Sequence, residues 1–276
     1  MKKIKTLLTV LLIALVIVVG LIATQTINWG SSNYMIDLGF LKIPRFIDGN
    51  DIQPDLLDEE HYELSSVNKI DVRLVNVDVD YEVSSLVDDI QVNYYGNTED
   101  FTITHALNNG VLLIEQTNTN SNVIGWQRIA KLVIKVPAAA LSSLHIETTS
   151  GDVNVLNAKL SDLFINSTSG DIKLNNGDVS GQVTSVSGDV EIERLKGELQ
   201  VKTTSGEIEV SGLEVVNQFD IESTSGDVEV TLISNHPALV ISAKTTSGEI
   251  ESDRPLNANG ELKLNITTTS GDIEIE

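Results

Sequence analysis

Seven carboxylates in the second half of the chain stand in the same local setting. Asp152, Asp171, Asp189, Glu207, Asp227, Glu249 and Asp272 each follow a Ser-Gly pair and precede Ile or Val. Carboxylates at a fixed spacing could form a cation ladder, because Ca²⁺ gathers several carboxylate oxygens. The same acids could instead accept backbone N–H groups at a turn, the ordinary use of Asp beside Gly. The G-G-x-G-x-D calcium nonapeptide is missing from the chain, which favours the turn role, so no metal site is expected.

Two more columns accompany them. Asn154, Lys173, Glu191, Glu209, Glu229, Glu251 and Glu274 lie two residues further on, where an outward charge keeps a strand-rich protein soluble. Thr149, Thr168, Thr204, Thr224, Thr246 and Thr269, with Val186 interrupting, could order water or touch a glycan; Thr is also simply favoured on strands. Catalysis finds little footing. His61, His105, His145 and His236 share no ligand spacing, and no H-E-x-x-H, G-x-S-x-G or G-x-G-x-x-G occurs. With no Cys there is no thiol nucleophile or disulfide. We expect no catalytic residue, no cofactor and no enzyme activity.

The acids belong to a repeat. Ser-Gly pairs fall at 150–151, 169–170, 187–188, 205–206, 225–226, 247–248 and 270–271, with spacings of 19, 18, 18, 20, 22 and 23 residues. A period near twenty marks a solenoid whose length variation maps to loops. Aligned on that pair, Ile146, Ile165, Val183, Val201, Ile221, Ala243 and Ile266 form an apolar column, and Val153, Ile172, Val190, Ile208, Val228, Ile250 and Ile273 a second. Between them runs a hydroxyl column, Thr148, Ser167, Ser185, Thr203, Ser223, Thr245 and Thr268.

Side chains alternate on each side of the turn, and the parity slips by one across it. Gly151, Gly170, Gly188, Gly206, Gly226, Gly248 and Gly271 are therefore expected to turn a corner with positive φ. A hairpin meander is the alternative, but it does not require the same corner seven times. The fold class that follows is all-β: a single-stranded parallel β-helix or solenoid, right-handed by default. Regular repeats occupy 141–276. The divergent strands of 67–140, among them "KIDVRLVNVDVDYEV" and "KLVIKVP", form earlier coils or a cap.

Residues 6–24, "TLLTVLLIALVIVVGLIAT", carry no charge. As a helix they would span roughly 28 Å, the hydrocarbon thickness of a bilayer. A cleaved signal peptide is the competing reading, but the run is long for one and Leu21-x-Ala23 is a poor cleavage site. Lys2, Lys3 and Lys5 place the N-terminus in the cytoplasm and the remaining chain outside the cell membrane. Residues 1–24 are thus a stub and transmembrane anchor. Residues 25–66 read as a juxtamembrane tether whose "DLLDEEHYE" is a solvated charge run. With 40 acids against 18 bases, net −22, the chain is not expected to bind nucleic acid. It ends at Glu276 inside a strand-like segment, so the C-terminal coil is expected to present an open edge. Glu274 and Glu276 blunt that edge, or it docks a second copy or a partner.

The T-[ST]-S-G-[DE]-[IV]-x-[IVL] units, preceded by "KLVIKVP" at 131–137, resemble the bacterial "putative adhesin" family of β-strand repeats over about 69–276. With its N-terminal anchor the chain is similar to membrane-anchored LiaG-type proteins. The resemblance implies a β-helix-like fold, an extracytoplasmic location and a role in envelope stress response or adhesion, and it carries over no catalytic residues. The function expected is a non-enzymatic envelope interaction module, its partner an envelope protein, a wall polymer or itself. The alternative is a polysaccharide-binding or polysaccharide-cleaving β-helix.

Overall fold

The computed structural model describes residues 34–37, 42–44, 54–96, 102–118, 130–138, 141–233, 236–256 and 260–276. The apolar segment 6–24 lies outside them. Among the described residues no helix is long and apolar enough to cross a membrane. Two short strands, β1 (Tyr34–Asp37) and β2 (Lys42–Pro44), pair antiparallel in a first compact unit. Everything below concerns the second unit, 54–119 with 129–276.

That unit is almost wholly strand. Chain order gives β3 (Asp55–Tyr62), β4 (Lys69–Arg73), β5 (Asp78–Ser84), β6 (Ile90–Gly96), β7 (Thr102–Asn108), β8 (Val111–Asn118) and β9 (Ala130–Pro137). The repeats supply β10 (Ser143–Thr148), β11 (Val153–Leu156), β12 (Lys159–Ser167), β13 (Ile172–Ser185), β14 (Val190–Thr203), β15 (Ile208–Ser223) and β16 (Val228–Leu232). Last come β17 (Leu239–Lys244), β18 (Ile250–Ser252), β19 (Leu262–Thr268) and β20 (Ile273–Ile275).

The repeats stack in parallel. Ile146 faces Ile165, then Val183, Val201 and Ile221 follow in register. Past Ile221 the stack departs from chain order: Ile221 faces Ile266, and Ile266 faces Ala243. Across the turn the second column does the same, with Val228 on Ile273 and Ile273 on Ile250. The pair β19–β20, which follows β17–β18 in sequence, is therefore inserted between β15–β16 and β17–β18. The expected open edge at 270–276 is thus corrected. Ile273 is 1% exposed, and the outermost coil is β17–β18, where Ile250 is 38% exposed.

A matching exchange occurs at the other end. Ile146 also faces Val72 of β4, and Val72 faces Ile114 of β8. The β8–β9 coil thus lies outside β4–β5, although it follows it in sequence. Nine coils result, which at the strand spacing rise roughly 38 Å. Antiparallel strands then close this end: β7 on β8, β6 on β9, and β3 on β6. Asn109 and Gly110, both with positive φ, make the tight β7–β8 turn that Asn-Gly favours. β3 lies within the stretch read as a tether, yet its eight residues belong to the sheet.

The apolar columns form one buried core running the length of the stack. Tyr81, 1% exposed, is stacked between Ile134 and Val155. Its hydroxyl is buried with no hydrogen-bond partner among the described residues. Burial pushes its phenol pKa up.

The turn glycines correct a second expectation. None of the seven has a left-handed φ; among the described glycines that conformation occurs at Gly110, Gly181 and Gly212. Glycine is required for closeness. A Cβ on Gly170 would stand 2.0 Å from the carbonyl oxygen of Gly151, and one on Gly188 2.1 Å from that of Gly170. The pattern continues through Gly206, Gly226, Gly271 and Gly248, each against a glycine of the adjoining coil. A second corner does use left-handed residues, at Asn157, Asn176, Arg194 and Gly212. The two asparagines form a ladder, the Asn176 amide donating to Asn157 Oδ1 at 2.7 Å.

Gly188→Ala should cost about 1–3 kcal/mol, the usual range for an overpacked site. Ser187→Ala beside it, at an exposed position, should cost little; urea unfolding midpoints compare the two. Tyr81→Phe removes an unpartnered hydroxyl and should raise stability by about 1 kcal/mol in the same measurement. A Tyr81→Phe variant less stable than wild type would show that the hydroxyl has a partner.

Candidate functional site

The Ser-Gly-Asp turn is a closed hydrogen-bond system. From Thr148 to Ser223 the hydroxyl column accepts the glycine N–H three residues on from inside the coil, whereas Thr268 and Thr245 donate to the carbonyls of Gly226 and Gly271. Gly170 N–H donates to Ser167 Oγ at 3.0 Å, Gly188 to Ser185 at 2.9 Å and Gly206 to Thr203 at 3.0 Å. Ser167, Ser185 and Thr203 are buried, so a hydroxyl bonded to its own backbone satisfies a polar group that water cannot reach. The acid after each glycine reaches to the neighbouring coil. Asp152 N–H donates to Asp78 Oδ1 at 3.0 Å, Asp171 N–H to Asp152 Oδ1 at 3.0 Å, and Asp189 N–H to Asp171 Oδ1 at 2.9 Å. Glu207 N–H continues the series to Asp189 at 2.9 Å. Beyond the exchange, Asp272 N–H donates to Asp227 and Glu249 N–H to Asp272, both at 2.8 Å.

The seven acids therefore stand over one another, and each aspartate oxygen is directed at the next coil's backbone. Glu207 is the one inner position where the longer side chain stands, and no such bond from Asp227 N–H reaches it among the described residues. The other glutamate, Glu249, lies on the outermost coil, where no further N–H has to be met. This geometry is a backbone cap repeated along the stack. Among the described residues these acids do not converge into a group of three ligand atoms; the group that does is Asp58, Glu60 and His105, within 4.8 Å of one another. Nothing in the repeat pattern announces it. The sequence signal was the D-x-E-x-Y alternation inside a segment read as a charge run.

On the outer face, Asp80, Asn154, Lys173, Glu191, Glu209, Glu229, Glu274 and Glu251 follow one another in register. Toward the closed end the column is compensated. Lys131 pairs with Asp80 at 2.6 Å, Asn154 donates to Asp80 at 2.9 Å, and Lys173 pairs with Glu191. The Lys173 hydrogen bond holds the Glu191 carboxyl below its ordinary value. Toward the open end the column is four glutamates long. The Glu274 carboxyl is pushed up, first by local desolvation and then by Glu229, Glu276 and Glu251. The threonine column is exposed on the turn, where its carbonyls carry the stacking: Ser169 N–H donates to Thr149 O at 2.8 Å and Ser187 N–H to Thr168 O at 3.0 Å.

The histidines stand apart from one another. His61 hydrogen-bonds Asp89 at 2.7 Å on the surface, and that bond above all raises its pKa. His145 stacks on Phe164 with ring centroids 4.3 Å apart. His105 Nε2 is 3.1 Å from Asp58 Oδ2, and its Nδ1 is 2.6 Å from the Tyr62 hydroxyl. Burial, then the charges of Glu60 and Asp58, push the Tyr62 phenol up.

Stacked parallel coils, glycine turns and carboxylate caps define a class of all-β repeat proteins rather than an active site. The chain belongs to the Toastrack DUF4097 family, whose model matches residues 67–182 and 179–276. No curated protein matches it. Solved structures similar to it include a "putative cell adhesion protein" from Clostridium sporogenes, 13% identical with a TM-score of 0.41, covering 81% of this chain and 99% of that one. A "putative adhesin" from Bacteroides fragilis is 15% identical with a TM-score of 0.46, covering 79% and 96%. A "putative lipid binding protein" from Parabacteroides distasonis is 16% identical with a TM-score of 0.43, also covering 79% and 96%.

Asp171→Ala leaves Asp189 N–H without its acceptor and should cost about 1 kcal/mol, whereas Asp171→Asn, which keeps an oxygen, should cost less. Asp78 adds a pH dependence. Burial raises its carboxyl pKa, the Asp152 N–H working against it. A carboxyl raised in the folded state holds its proton more tightly folded than unfolded, so stability is lost as pH rises through the folded pKa. Asp78→Asn should therefore be more stable than wild type near neutral pH, and the difference should vanish in acid. Urea midpoints across pH measure it.

Proposed function

We propose that this protein is a non-enzymatic interaction module held outside the cell membrane by the apolar segment 6–24, with a role in the envelope and its response to stress. The observation that carries this reading is the contrast between the two ends of the stack. At one end antiparallel strands cover the parallel coils; of the two outermost, β7 pairs only with β8 among the described residues, and β3 is acid-rich and broken by a bulge between Leu56 and Asp58. Those are the devices that keep a strand edge from pairing. At the other end β17, "LVISAK", contains no acid and pairs only with β19 among the described residues. Exposed Val216 lies on β15 and exposed Ile233 directly follows β16, further into the stack.

In a chain of net charge −22, an acid-free edge with free backbone groups suits an added strand. Its occupant is an extended polypeptide segment of an envelope partner. The second reading, a β-helix that binds or cleaves polysaccharide, draws on the regular outer column of carboxylates and amides.

A labelled peptide of residues 262–268, the strand that already pairs with β17 from its inner side, serves as the probe. Full-length protein in detergent micelles should bind it saturably, and the double variant Val240→Lys with Ser242→Lys should bind at least tenfold more weakly. Equal binding by the variant, or none by wild type, would overturn the edge reading. Shortening of isolated wall glycan by wild-type protein, lost in Glu209→Gln, would establish the polysaccharide-cleaving alternative.

A further inference from the structure

β3 alternates its side chains, so Asp58, Glu60 and Tyr62 share a face. The bulge sets that parity: Leu56 faces Tyr95 and Asp58 faces Tyr94, which leaves Leu57 as the extra residue. Bulges re-aim the side chains beside them. His105 comes from β7, a strand that has no backbone pairing with β3. The side chains nonetheless meet. One ligand atom from each of Asp58, Glu60 and His105 lies within 4.8 Å of the others.

One separation already matches that of two ligands on a shared ion. Two ligands at about 2.0–2.2 Å from a first-row divalent ion stand roughly 3.0–3.4 Å apart. His105 Nε2 and Asp58 Oδ2 are 3.1 Å apart. Metal-bound histidines use their second nitrogen for an outer hydrogen bond that fixes the ring. Here Tyr62 Oη stands 2.6 Å from His105 Nδ1, and the two rings meet edge to face at 6.2 Å. Glu60 has no cationic partner among the described residues, and the ring that meets Asp58 is His105. The site is partly exposed, which leaves coordination positions for water.

We propose that Asp58, Glu60 and His105 bind a divalent first-row transition-metal ion, with Zn²⁺ or Mn²⁺ the fitting class, and that the ion ties β3 to β7 across the closed end of the solenoid. Two carboxylate oxygens and one imidazole nitrogen suit those ions better than thiophilic ones. Without metal, His105 Nε2–H donates to Asp58 and the Tyr62 hydroxyl donates to Nδ1. With metal, Nε2 offers its lone pair to the ion, and Nδ1–H donates to Tyr62 Oη. A neutral ring changes tautomer and releases no net proton. β3 and β7 belong to opposite strand segments of the cap, so the ion would join two parts that backbone hydrogen bonds leave separate.

Full-length protein in micelles, freed of metal by EDTA, is titrated with ZnCl₂ and with MnCl₂ by calorimetry. One saturable equivalent is expected with at least one of them, with a rise in thermal midpoint. His105→Ala should weaken binding at least tenfold and abolish that rise. Asp171→Asn, in the turn ladder, should leave both unchanged. Uptake by His105→Ala equal to wild type, or no saturable uptake of either ion, would overturn the proposal. Crystals of wild-type protein soaked in ZnCl₂ give a readout that needs no variant. An anomalous peak between the three side chains supports the site; a peak confined to the turn ladder, or none, refutes it.

Discussion

One distance governs this molecule: the approach of each turn glycine to a backbone carbonyl of the adjoining coil, a glycine's in every case but Gly151, which meets Val77. A methyl group there would sit about 2 Å from a backbone oxygen, well inside van der Waals contact. Because no side chain intervenes, the turns stack as closely as the strands on either side. The N–H of the following residue then falls within reach of an aspartate on the adjoining coil, and from Thr148 to Ser223 the hydroxyl two residues before the serine meets the glycine N–H from inside. Gly, Asp and Ser or Thr are thus three consequences of one close approach, which is why they travel together through the sequence.

The same constraint explains what could be read in advance. The apolar columns were legible because every coil meets its neighbour in the same way, so Ile146 predicts the setting of Ile165 without knowledge of anything else. A parity slip at glycine suggests left-handed backbone as readily as close contact, and the structure shows close contact. The actual left-handed corner is not legible because its residues, Asn157, Asn176, Arg194 and Gly212, do not keep one type along the stack. The exchange of coils at both ends was illegible in principle: a column of interchangeable valines and isoleucines fixes which residues are level, and says nothing of the order in which coils are stacked. Nor could spacing reveal that Asp58 and His105, 47 residues apart, would meet.

Charge is distributed with the same regularity and a clear direction. Near the closed end, lysines and asparagines answer the carboxylates of the outer column. Toward the outermost coil the glutamates stand alone, and their repulsion adds to the desolvation that raises Glu274. Exposed charges at one strand spacing repel modestly in water and are screened by salt, so hydrogen bonding and apolar burial decide the stack. What the uncompensated column does is keep that end of the molecule anionic beside the acid-free β17.

The insertion of β19–β20 beneath β17–β18 has a consequence in time. A polypeptide leaves the ribosome, or a translocation channel, beginning with its N-terminus. Residues 239–252 emerge while the strands destined to lie inside them are still to come. The slot on β15–β16 is then vacant, and a homologous repeat stands ready to enter it out of turn. The native order is complete only after β20 has emerged and entered that slot, which gives the chain a built-in opportunity for a topological error.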